Sequence, residues 1–117
     1  KISRPATLTV EQRIAMERAV LTKLIEIAQS HGYALSHTDD GKAIHKTTTP
    51  EECLKVVFSV DDSTIFFKHP EQPKWHCAFI VLGNEGWGAL NDCSKGERWD
   101  CVIAEYDGYI DALTESL

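Results

Sequence analysis

Apolar residues recur at helical spacing over two long stretches of this chain, with shorter strand-like runs between them. From Val10 to His31, the residues Val10, Ile14, Leu21, Leu24, Ile25 and Ala28 fall on one side of a 3.6-residue period, with Glu11, Arg18, Thr22 and Gln29 on the other. Gly32 follows as a C-terminal stop. From Lys95 to Glu115, Trp99, Ile103, Tyr106, Ile110 and Leu113 step by four, three, four and three residues, which predicts a second long helix with one core-facing stripe. A short helix over Pro50 to Phe58 would bury Cys53, Leu54 and Val57.

The helix starts share one grammar. Thr9-Val10-Glu11-Gln12, Thr49-Pro50-Glu51-Glu52 and Ser94-Lys95-Gly96-Glu97 each set a hydroxyl at the N-cap and Glu or Gln three residues on, so that orphan backbone amides are satisfied reciprocally. Gly108 inside the last helix costs about 1 kcal/mol relative to Ala and calls for a close packing contact or a kink. An Asp107-Gly108 turn is the rival reading.

Strand-like pieces lie between the helices. Tyr33–His37 and Lys42–Lys46 flank Asp40-Gly41, a hairpin signal. Thr64–His69 and Trp75–Leu82 are joined by Pro70-Glu71-Gln72-Pro73, and Gly83-Asn84-Glu85-Gly86 turns into Trp87–Asn91. Residues Cys77 to Leu82 are apolar on both alternating faces, as in a central strand covered on two sides. Phe66 and Phe67 point to opposite faces, so one of them is expected to be exposed. The order α-β-β-α-β-β-β-α predicts one α+β domain over 1–117: three helices on a mostly antiparallel sheet of about five strands.

Composition narrows the classes of function. With 117 residues, 43% of them hydrophobic, the chain is expected to fold around a single core. Twelve Lys and Arg against eighteen Asp and Glu give −6, which disfavours direct binding of nucleic acid or of an anionic membrane. The imbalance is local: residues 83–117 alone carry −6. No apolar run is long enough to span a bilayer, and Lys1-Ile2-Ser3-Arg4-Pro5 is not followed by an apolar signal core. A cytoplasmic protein with reduced Cys53, Cys77, Cys93 and Cys101 is the expectation.

The segment Phe79-Ile80-Val81-Leu82-Gly83-Asn84-Glu85-Gly86-Trp87, followed by Leu90-Asn91-Asp92-Cys93-Ser94 and an acidic helix, resembles a group of small uncharacterised phage and prophage proteins. Thr49-Pro50-Glu51-Glu52 extends the resemblance, which covers 49–113; Cys93 departs from the aromatic more usual at its place. The resemblance implies a mobile-element setting, in which small proteins such as anti-CRISPR and anti-restriction inhibitors bind and disable a host protein.

The last helix carries the sharpest candidate chemistry. At 100° per residue Asp100, Asp107 and Asp111 lie within about 20° of one line, with Glu97 and Glu115 to one side, all facing away from the apolar stripe. The 1.5 Å rise places Asp100 and Asp107 about 10 Å apart along the axis, and Asp107 and Asp111 about 6 Å. Such a row can imitate a nucleic-acid backbone and occlude the basic groove of a host protein; a merely solvated helix face is the plainer alternative. Trp75 and Trp87 could add an apolar anchor or fill the core. Phe66 with the Trp75 loop offers an apolar patch for a partner or a homodimer. No zinc spacing occurs, no cofactor is implied, and the Gly83–Gly88 segment lacks the Lys of a phosphate loop. A Cys–His nucleophile oriented by Asp92 or Asp100 has no local signature. The expected activity is therefore binding rather than catalysis.

Overall fold

Residues 8–116 are described by the computed structural model. They form α1 (Val10–Ser30), β1 (Ala34–Asp39), β2 (Ile44–Lys46), α2 (Pro50–Val57), β3 (Asp62–Lys68), β4 (His76–Val81), β5 (Leu90–Cys93) and α3 (Glu97–Glu115). The architecture is α+β in the expected order. All four strand pairings are antiparallel, in the spatial order β2-β1-β3-β4-β5.

Two of the three hydroxyl caps form. Thr9 and Thr49 accept from the backbone amides of Gln12 and Glu52, whose side chains reach back to complete capping boxes. At the far end of α1, Gly32 (φ 91°) donates to Gln29 at 3.0 Å and Tyr33 to Ala28 at 3.0 Å, a Schellman closure that needs the left-handed backbone glycine supplies. The third box does not form. α3 starts two residues later than expected, at Glu97, and its N-cap is Gly96 with no side-chain cap. The Ser94 hydroxyl instead accepts from the Cys77 amide at 2.9 Å, while the Ser94 amide donates to the Cys77 carbonyl at 3.0 Å. Ser94 thus prolongs the β4–β5 ladder rather than opening the helix.

The strands alternate between buried and half-buried positions, most regularly along β4. Leu35, Ile65, Phe67, Ala78 and Ile80 point into a core shared with Leu21, Leu24 and Ile25 of α1, with α2, and with Trp99, Val102 and Tyr106 of α3. All three helices therefore lie on one side of the sheet. Two expectations are corrected by this layout. β4 is an interior strand, flanked by β3 and β5, but its second apolar face (Cys77, Phe79, Val81) is covered by no further element among the described residues. The N-terminal part of the α1 stripe is also outside the core: Val10 and Ile14 are exposed.

Trp99 anchors α3. Its ring is fully buried, tilted on Phe67 with centroids 5.1 Å apart and stacked on His76 at 5.5 Å. Tyr33 meets Trp99, His69 and His76 edge-on. The helix ends close on the same cluster: a Cβ at Gly32 would stand 2.8 Å from His69 Nε2, and one at Gly96 would stand 2.9 Å from His76 Nε2. Gly108 has no such reason. It lies within α3, which excludes the Asp107-Gly108 turn, and a Cβ there would meet nothing within 4 Å.

Candidate functional site

Two exposed surfaces lie on opposite sides of the molecule. The first is the outer face of α3. Glu97, Asp100, Asp107, Asp111 and Glu115 are all exposed, opposite the buried Trp99, Val102 and Tyr106. Among the described residues none of the five takes part in an ion pair. Two neighbouring side chains meet other carboxylates: His31 Nε2 lies 2.9 Å from Glu105, and Arg98 lies 3.2 Å from Glu71.

Helix physics disfavours the C-terminal part of this row. Asp107–Asp111 and Asp111–Glu115 are like-charge pairs four residues apart, each a small destabilisation. Asp111 and Glu115 also stand toward the negative end of the helix dipole, with no basic residue in the last turn to offset them. The Asp107 carboxyl is pushed up, chiefly by its partial desolvation and to a lesser degree by the Asp111 charge. Near the helix start Asp100 is better placed, accepting from the Gly96 amide at 3.3 Å.

The second surface is the open side of the sheet. Phe67 takes the core side and Phe66 the open one, where it stacks on His37 with centroids 4.3 Å apart. Trp75 stands edge-on to both rings, is 55% exposed, and has the Lys68 ammonium 5.8 Å from its ring centroid. Ile44 at 68% exposure extends the apolar area. His37 reaches this side through a β-bulge: the register shifts between Leu35 and His37, so His37 rather than Ser36 stands opposite Phe66. Sequence alternation does not mark that surplus residue, and His37 was not among the expected site residues. Trp75 is thus an exposed candidate anchor, and Trp87 is half-buried in the turn before β5.

All four cysteines are free. Burial pushes the Cys53 and Cys93 thiols up, the reverse of what an activated nucleophile needs; at Cys93 the Trp99 indole offsets part of that and the Asp92, Asp107 and Asp100 charges add to it. Cys77 Sγ lies 3.2 Å from the Ser94 hydroxyl. Among the described residues no three His, Cys, Asp or Glu side chains converge as metal ligands would, and no helix is long and apolar enough to cross a membrane. No family model, curated protein or solved structure matches this chain.

Proposed function

We propose that this chain is a non-enzymatic binding module of mobile-element origin, acting in the host cytoplasm. It occludes the basic, nucleic-acid-binding groove of a host defence protein, with CRISPR–Cas machinery as the leading class. Asp100, Asp107 and Asp111 make the central contact, and Glu97 and Glu115 extend it. The observation that carries the reading is a row of five exposed carboxylates that, among the described residues, take part in no ion pair, with Asp107, Asp111 and Glu115 set as like charges four residues apart toward the negative end of the helix. A solvated helix gains nothing from that placement, whereas a cationic groove would relieve the repulsion. The mobile-element setting rests on the resemblance of residues 49–113, and the open sheet face with Trp75 supplies an apolar anchor or a self-association surface.

The test is capture from host lysate with the wild-type chain and with the Asp100→Lys, Asp107→Lys, Asp111→Lys triple variant, at about 0.1 M and 1 M salt. The wild type should retain a basic protein at low salt only and release it to added duplex DNA. The triple variant should retain none while keeping the wild-type circular dichroism spectrum. Equal capture by the two chains, or retention indifferent to salt and DNA, would reject the decoy.

A further inference from the structure

The open side of the sheet is polarised along the strands. Within β3 the outward positions run Asp62, Thr64, Phe66 and Lys68, so one end of the middle strand is acidic and the other basic. On the β1 and β2 flank Lys46 and Asp39 repeat the gradient, whereas β4 carries no charge on this face. Phe66 stands opposite His37, which stands opposite Lys46; two residues toward the Asp62 end, Thr64 stands opposite Asp39, which stands opposite Ile44. On the other flank Phe66 meets Cys77 and Thr64 meets Phe79. The centre is thus aromatic and aliphatic, with cationic groups toward one end and Asp62 and Asp39 toward the other.

We propose that two copies of this chain pack face to face through this side of the sheet, about a two-fold axis that crosses the strands between the Thr64 and Phe66 rows. An axis in that direction lays each strand antiparallel over its own copy. Lys68 of one chain then covers Asp62 of its partner, His37 covers Asp39, and Phe66 and Phe79 meet in the middle. The face is therefore self-complementary in charge, as an isologous interface requires. A basic groove would be repelled by the Lys68 end and an acidic partner by the Asp62 end, whereas a second copy matches both. Trp75 and Ile44, the most exposed apolar side chains of this face, become buried in the pair. α3 lies on the other side of the sheet, so the dimer carries two carboxylate rows facing outward. The self-association stands or falls separately from the decoy reading, because it uses no residue of the row.

Sedimentation equilibrium tests the proposal on the intact chain. The wild type should be a dimer that dissociates on dilution. Lys68→Glu and Asp62→Lys should each raise the dissociation constant at least about tenfold by placing like charges opposite one another. The Lys68→Glu, Asp62→Lys double variant, which reverses both ends together, should return it to near the wild-type value. Circular dichroism checks that each variant is folded, and Asp62→Lys keeps the test open should Lys68→Glu disturb the Lys68–Trp75 contact. A monomeric wild type at all concentrations, singles that leave the dimer unchanged, or a double variant no better than the singles would each overturn it.

Discussion

α1 and α3 pack on one another over the same core, yet their ends are held by different means. α1 carries a full capping box at Thr9 and a Schellman closure at Gly32, both written within a few residues of the ends they close. α3 begins at Gly96 with no side-chain cap, contains Gly108, and bears like charges a turn apart. Local terms support the first helix and oppose the second. What keeps α3 helical is tertiary: Trp99 is seated among Tyr33, Phe67 and His76. A helix secured by its buried side can carry an unfavourable charge pattern on its outer one.

The largest expected effect tests that division of labour. Trp99→Ala should cost about 3–5 kcal/mol, the range for emptying a buried aromatic site, whereas Thr9→Ala should cost about 1 kcal/mol through the lost cap. Urea titration of both variants measures the ratio. A Trp99→Ala loss no larger than that of Thr9→Ala would mean that α3 does not depend on its anchor.

A smaller change sharpens the contrast. Gly108→Ala should stabilise by up to about 1 kcal/mol, since the added methyl meets nothing and the helix loses its most flexible residue. A rise in the thermal midpoint is the expected reading; a fall would reveal a conformational need for glycine there.

The smallest effect concerns acid. Burial holds the His76 imidazole below its usual value and the nearby His69 adds to this, while the Asp100 charge opposes them. The folded pKa is depressed, so the unfolded chain takes up the proton first. The contribution is full above the ordinary histidine value of 6.5 and is lost as pH falls through the lower folded one. Denaturation midpoints at successive pH values should decline over that window in the wild type and decline less in His76→Gln.

The same contrast marks what could be read from the chain alone. Element order, the Thr9 and Thr49 caps, the buried Cys53, Leu54 and Val57, and the outward line of carboxylates all follow from spacing of a few residues, and all match the structure. Long-range pairing escaped that reading. Ser94 has the right neighbours for a cap, but its hydroxyl is taken by Cys77, seventeen residues away in sequence. The open outer face of β4 was not foreseen, because apolar residues on both faces of a strand do not say what covers each. Nor does periodicity within a helix say how far along its length the stripe is covered, and Val10 and Ile14 are exposed.

The bulge in β1 has a consequence for how the strand tolerates a change in length. Leu35 pairs with Phe67 and His37 with Phe66, so Ser36 is a surplus residue between two stretches whose alternation is out of phase. On a regular ladder of the same length, His37 would turn inward and Thr38, now buried against Thr47 and Cys53, would turn out. A chain shortened by one residue at position 36 would keep both assignments, at the cost of the Ser36 carbonyl that accepts from the Thr47 amide and of the Ser36 hydroxyl against His37. The inner and outer faces of this strand are thus set by a one-residue phase shift.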